Sequence, residues 1–305
     1  MPYRLGRHSG SPLRNEEKVY APYTKFRYQP AQRIEGQALD FLADWSDLAY
    51  LGLNGLSGRS STFDALVALA IDNNLVKAAP IAAAFLFAWV AAGKAESRRA
   101  RGTLLVTLAS LLFVLAASKT IADSIFLPRP FIHGEQVYRL DGDQLVQAPR
   151  LAYRAPESGF SRGRFERLRE GEIEDNDLKS FPSDHAAFYF ALALGILLAN
   201  RRAGAFAIAW TLLVICGSRM ITGTHSPVDI VAGIGIGGAI LLAFQFAAAR
   251  LARRPLDAVV GWTGRHEALV AALLFLVLFE VGNTLDNARD LAREGKRQVQ
   301  QVLGL

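Results

Sequence analysis

The chain of 305 residues is 51% hydrophobic and 20% charged, a mixture too apolar for extended disorder. Its 34 Lys and Arg exceed its 28 Asp and Glu, and the net charge of +6 admits nucleic acid, a membrane surface, an anionic substrate or membrane-topology signals. The single cysteine, Cys216, excludes an internal disulfide and a cysteine-based zinc cluster.

Residues 1–60 are polar and basic and hold no apolar run of the signal-peptide kind. Within them, Gln37–Leu56 interleaves apolar residues with Asp40, Asp44 and Asp47, which predicts an amphipathic helix lying at an interface. Thr62–Val76 is apolar apart from Asp64 and Asp72-Asn73-Asn74; it reads as an interfacial or re-entrant helix, or as an extra pass.

Six charge-free runs follow: Pro80–Gly93, Gly102–Ser118, Ala186–Asn200, Ala203–Ser218, Ile230–Ala249 and Ala268–Phe279. A membrane helix needs about 20 mostly apolar residues. Ile230–Ala249 reaches that length unaided. The others reach it with flanking residues, because Lys77, Lys94, Lys119 and Arg250 can snorkel. A soluble all-α protein would need a far larger polar surface to cover six such runs. The expected fold is therefore an all-α, polytopic helical membrane protein of about six transmembrane helices, with an N-terminal interfacial helical segment. Three parts are expected: the polar segment 1–60, a transmembrane core 61–250 with an extramembrane insertion at 130–182, and a further helix and tail at 251–305.

The connections alternate in charge. Lys94–Arg101, Arg201-Arg202, and Arg250–Arg254 with Arg265 are basic, which predicts a cytoplasmic position for all three. The long stretch Arg129–Ser183 and the short one around Arg219–Pro227 then face the exterior, as do the N-terminal segment and the tail after Asn283. The positive surplus is accounted for without nucleic acid. Gly233 and Gly237 form a small-xxx-small pair, which predicts close helix packing.

Of the five histidines, His8, His133 and His266 sit in ordinary polar or loop settings. His185 closes Ser180-Phe-Pro-Ser-Asp-His185, just before an apolar run, where Ser183 or Asp184 can cap the helix. Free backbone N–H groups at such a start bind anions. His225 and Asp229 are four residues apart, so a helix places them on one face. A carboxylate on one ring nitrogen fixes the tautomer and makes the other nitrogen a better nucleophile or base. Arg129 and Arg219 lie at the same outer level. Two arginines, a helix start and two histidines describe a phosphate site. A metal site built on His185, His225 and Asp229 is the competing reading, which the nearby guanidinium charges oppose.

These residues resemble the type 2 phosphatidic acid phosphatase superfamily of integral membrane lipid phosphatases. The motif S-R-x5-H-x3-D is present in full as Ser218-Arg219…His225…Asp229. P-S-G-H is matched by Pro182-Ser183-Asp184-His185, with Asp in place of Gly. K-x6-R-P is matched in part: Arg129-Pro130 is present, Ala122 stands at the lysine position, and Lys119 is three residues earlier, about 4.5 Å along a helix. Asp184 is expected to point away or to cap the helix. Asn54–Gly58 and Phe63–Leu66 are similar to the start of bacterial undecaprenyl-diphosphatases of this family.

The resemblance implies a metal-independent hydrolase without cofactor, acting on a lipid phosphate or diphosphate, undecaprenyl diphosphate first. His225 would attack phosphorus to form a phosphohistidine, Asp229 would orient it, and His185 would protonate the leaving oxygen and then activate water. Arg129, Arg219, Ser183 and Lys119 would hold the phosphoryl oxygens. The expected setting is the bacterial cytoplasmic membrane, with membrane lipids around the chain and the active site facing the periplasm or exterior. Phosphatidic acid or phosphatidylglycerol phosphate as substrate, a lipid phosphotransferase on the same fold, and a non-catalytic lipid-phosphate binding or transport protein are the alternatives. The oligomeric state is not legible.

Overall fold

The computed structural model describes residues 37–91, 97–125, 127–134, 138–141, 144–147, 152–172 and 175–282. His8, Lys94 and the tail after Asn283 lie outside the described residues.

Helices dominate, as the charge-free runs predict. They are α1 (Gln37–Asn54), α2 (Ser61–Asp72), α3 (Asn74–Ala91), α4 (Ser97–Ser124), α5 (Phe160–Arg169), α6 (Asp184–Ala199), α7 (Arg201–Ile221), α8 (Pro227–Leu251), α9 (Arg253–Arg265) and α10 (Glu267–Gly282). Helices α3, α4, α7 and α8 are long and apolar enough to cross a membrane. Helix α6 is also apolar but has 16 residues, and α10 likewise has 16. The six charge-free runs thus fall on α3, α4, α6, α7, α8 and α10, and four of these helices have the length of a span.

Helix α6 is apolar all round because neighbouring helices cover most of it. It packs on α4, α7 and α8, and Ala187, Phe188, Leu192 and Ile196 have no exposed surface. Small residues permit this closeness. A Cβ added to Gly233 would strike the Ser183 carbonyl, and one added to Gly237 would strike that of Ala187. The small-xxx-small pair therefore does pack α8 against α6.

Two elements differ from the sequence reading. Thr62–Val76 is not an extra pass: α2 has 12 residues, roughly 18 Å of helix, too short for a bilayer core. Its acidic residues instead tie it to the insertion. Asp64 accepts from the backbone N–H groups of Gly58 (3.0 Å) and Glu157 (2.9 Å), and Asp72 from that of Phe160 (3.0 Å). The basic stretch after α8 is not a simple turn either. It forms α9, which lays Leu256 and Val260 over Gly102 of α4.

The insertion is folded. Strands β1 (Tyr138–Asp141) and β2 (Gln144–Gln147) pair as an antiparallel hairpin, a small addition to an otherwise helical chain. Its two ends run side by side, since Ser180 N–H donates to the Leu127 carbonyl at 2.7 Å and Arg129 N–H to that of Asp177 at 2.9 Å. Helix α5 closes over them through a buried ion pair between Arg164 and Asp177. The Arg164 guanidinium also stands 5.3 Å from the centre of the Phe131 ring. Asn54, at the end of α1, joins three parts. Its amide donates to the carbonyls of Arg154 (3.0 Å) and Ile221 (2.8 Å) and accepts from Arg154 N–H (2.7 Å).

Candidate active site

Alternating helix directions bring the end of α4, the starts of α6 and α8 and the end of α7 to one end of the bundle, beneath the insertion. The start of α3 lies there too. Helix α8 opens with Ser226, whose hydroxyl accepts from Asp229 N–H while Asp229 Oδ2 accepts from Ser226 N–H at 2.7 Å. This capping box, with Pro227 next in line, fixes where the helix begins and therefore where Asp229 points. Ser183 caps α6 in the same way, accepting from Ala186 N–H at 3.4 Å, and is fully buried. Ser183 N–H donates to the Asp229 carbonyl at 3.1 Å, so the two helix starts are joined directly.

His225 precedes this cap and is 2% exposed. Arg129 Nη1 donates to its Nε2 at 3.1 Å. A guanidinium only donates, so Nε2 is the accepting nitrogen and Nδ1 carries the proton. Nδ1–H donates to the Ser180 carbonyl at 2.9 Å. Asp229 is farther away than the i, i+4 spacing suggests: its Oδ2 stands 3.7 Å from Nδ1 and accepts from the Ser180 hydroxyl at 2.6 Å. The carboxylate supports the imidazole through Ser180, a residue the motif leaves unmarked. Burial, and then the Arg129 charge, hold the His225 pKa below its usual value, which keeps the ring neutral.

Arg129 is buried and held on three further acceptors: the Thr224 carbonyl (3.0 Å), the Asn176 carbonyl (2.9 Å) and Asn176 Oδ1 (3.5 Å). Burial lowers its pKa, and the carboxylates of Asp184 and Asp229 oppose that change. Arg219 is 4% exposed and donates to the Ile215 carbonyl at 2.9 Å, within the π-helical turn Thr211–Cys216 of α7. Its own carbonyl accepts from the N–H groups of Thr224 (2.9 Å) and His225 (3.2 Å), so it also shapes the loop that carries His225.

His185 lies on the more open side, with its side chain 24% exposed. Its Nδ1 is 2.8 Å from Asp184 Oδ1, and its ring stacks on Tyr189 at 6.2 Å. Ser183 is the cap of the helix, and Asp184 accepts from the first-turn N–H of His185 at 2.8 Å rather than pointing away. It turns onto the histidine that follows it, and its charge reaches Arg129, Arg219 and His225.

Of the residues singled out in the sequence, His225, Asp229, Arg129, Arg219, Ser183 and His185 come together. Lys119 does not join them. It is 69% exposed and pairs with Asp123 at 3.9 Å. A different lysine is nearer: Lys77, in the first turn of α3, is 7% exposed and acts electrostatically on His185. Its place beside an apolar run made it look like a snorkelling residue. His133 lies in the 3-10 turn Pro130–Gly134, and His266 stacks on Trp262 at 4.7 Å, away from the cluster. Among the described residues no group of three His, Cys, Asp or Glu side chains is placed to hold a metal ion.

Buried cations around a neutral imidazole suit an anion that brings its own charge. Residues 102–252 match the family model of the PAP2 superfamily. The PAP2 match covers about half of the chain, runs from α4 to α8 and contains every member of the cluster except Lys77. It supports phosphatase-type activity, and together with the four long apolar helices it indicates an integral membrane protein. No curated protein and no solved structure matches the chain.

Proposed function

We propose that this chain is a PAP2-type membrane lipid phosphatase that works through a phosphohistidine on His225. The observation that carries this reading is the fixed tautomer of His225, with Nδ1–H on the Ser180 carbonyl and Nε2 directed at the Arg129 guanidinium. A phosphoryl group entering the site offers Arg129 anionic oxygens, stronger partners than a neutral ring nitrogen. The Nε2 lone pair is then released to attack phosphorus.

The P–Nε2 bond forms as the bond to the leaving oxygen breaks, and His185 supplies the proton that oxygen needs. In the second step His185 takes a proton from water, the water oxygen attacks phosphorus, and the P–Nε2 bond breaks to release phosphate. Arg129 and Arg219 hold the charge that develops on the equatorial oxygens. Lys77 adds a further cation from α3.

The favoured substrate is undecaprenyl diphosphate, on the similarity of Asn54–Gly58 and Phe63–Leu66 to undecaprenyl-diphosphatases. A site facing the exterior of a bacterial cytoplasmic membrane is supported by Arg98, Arg99, Arg101, Arg201, Arg202 and Arg253, all at the opposite end of the bundle. The test is phosphate release from a panel of lipid phosphates and diphosphates by purified protein without divalent metal. Turnover is expected, with inhibition by vanadate and loss of at least 1000-fold in His225→Ala. Undiminished activity in His225→Ala overturns the mechanism.

A further inference from the structure

Position 184 carries a carboxylate where the motif it resembles carries a glycine. Asp184 Oδ1 accepts twice from the next residue, from the backbone N–H of His185 at 2.8 Å and from its ring Nδ1–H at 2.8 Å. The double contact closes a small ring, so the carboxylate and the imidazole orient as one unit. The Tyr189 ring lies near-parallel beside the imidazole, with ring centres 6.2 Å apart. With Nδ1 held in this way, Nε2 is the nitrogen left to meet a leaving group.

The charges around His185 are otherwise positive. Arg219 faces it from α7 and Lys77 from α3, and Asp184 is the acidic partner on its own helix. A general acid must carry a proton on Nε2 while Nδ1 is also protonated, which makes the ring an imidazolium. Burial first, and then the two cations, disfavour that state, and a carboxylate at hydrogen-bond distance favours it. The same two cations are needed for phosphate, so removing them is no alternative.

We propose that Asp184 is a positioning residue that holds His185 by Nδ1 and supports its imidazolium form, so that Nε2 can protonate the leaving oxygen in a site crowded with phosphate-binding cations. The inference rests on the phosphatase reading above. In that reaction the arrangement mirrors the support of His225 by Asp229, but with the carboxylate in direct contact and with the opposite protonation state as its product.

The experiment compares kcat–pH profiles of wild type, Asp184→Asn, Asp184→Gly and Asp184→Glu on a lipid phosphate that wild type hydrolyses. The alkaline limb reports loss of the acid's proton. It is expected to move to lower pH by about 1 unit or more in the Asn and Gly variants, the size of an opposite-charge contact. On the alkaline side kcat then falls about 10-fold with little change in KM, and Asp184→Glu recovers part of the difference. Asn keeps an oxygen acceptor without the charge, and Gly restores the residue of the resembled motif, so a folding defect in one leaves the other informative. Unshifted alkaline limbs in Asn and Gly variants of an active enzyme overturn the role of Asp184 alone. A wild-type protein that releases phosphate from no lipid overturns the phosphatase reading and this inference with it.

Discussion

The Ser180 hydroxyl donates a 2.6 Å hydrogen bond to Asp229 Oδ2, and this contact stands where a direct bond from Asp229 to His225 is expected from their spacing. Ser180 meets the imidazole with its other polar group, its carbonyl accepting from Nδ1–H at 2.9 Å. Both ends of the serine are therefore used. Ser180→Ala keeps the carbonyl and leaves the carboxylate held by Ser226 N–H but cuts its link to the imidazole, so it is expected to lower kcat about 10-fold with KM nearly unchanged, far less than His225→Ala. Steady-state kinetics on the same lipid phosphate check this. An effect confined to KM would show that the serine serves substrate binding instead.

The environment of His225 sets the acid limb of activity. Nucleophilic attack needs the neutral ring. Burial and the Arg129 charge lower its pKa, so the ring stays neutral below the usual histidine value of about 6.5. Activity gained as pH rises through a depressed pKa is gained early. The acid limb of kcat/KM, which reports the free enzyme, is expected to have its midpoint below pH 6.5. A midpoint above that value would show that the imidazole is not held neutral by its surroundings.

The two lysines differ in depth, which separates their roles. Lys119 is an exposed partner of Asp123, and exposed pairs contribute about 0–1 kcal/mol. Lys77 is buried at the site end of α3. Lys77→Met is expected to lower kcat/KM about 10-fold or more, the loss of one charge-assisted contact to phosphate, whereas Lys119→Ala stays within about 2-fold of wild type. Equal effects from the two substitutions would return the motif role to Lys119.

The sequence carried most of the bundle, because a bilayer imposes long charge-free runs and those runs are local. It also carried the six residues that meet at the site, since each stands in a short motif beside a helix end. Lys77 was hidden by its company. One cation beside an apolar run reads as an interface anchor until α3 is known to begin at the same end as α6. Ser180 was hidden because its contacts to Asp229 and His225 span 49 and 45 residues. The path of the insertion, with Leu127 beside Lys179, depends on pairing across 52 residues, which no periodicity announces. The direction of Asp184 is a rotamer choice, settled by a neighbouring ring nitrogen.

Gly223, inside the loop that presents His225, ties these local and distant constraints together. Its φ is +70°, a conformation that side-chain-bearing residues adopt at a cost of about 1–2 kcal/mol. Space is restricted as well. An added Cβ would lie 2.5 Å from the Tyr153 ring and 2.9 Å from the Tyr50 hydroxyl; Tyr50 is buried and Tyr153 partly buried. Tyr153 cannot retreat freely, since its hydroxyl donates to the Thr222 carbonyl at 3.1 Å and its ring packs on Phe165 at 5.0 Å. The Gly223 carbonyl also accepts from Phe131 N–H at 3.0 Å, two residues from Arg129. Gly223→Ala is therefore expected to destabilise the folded protein by about 2 kcal/mol or more. It should also lower kcat, because the strain falls between Arg129 and His225. Thermal unfolding in detergent, read beside phosphate release, checks both parts. A variant with wild-type stability would show that the loop relaxes without transmitting the clash.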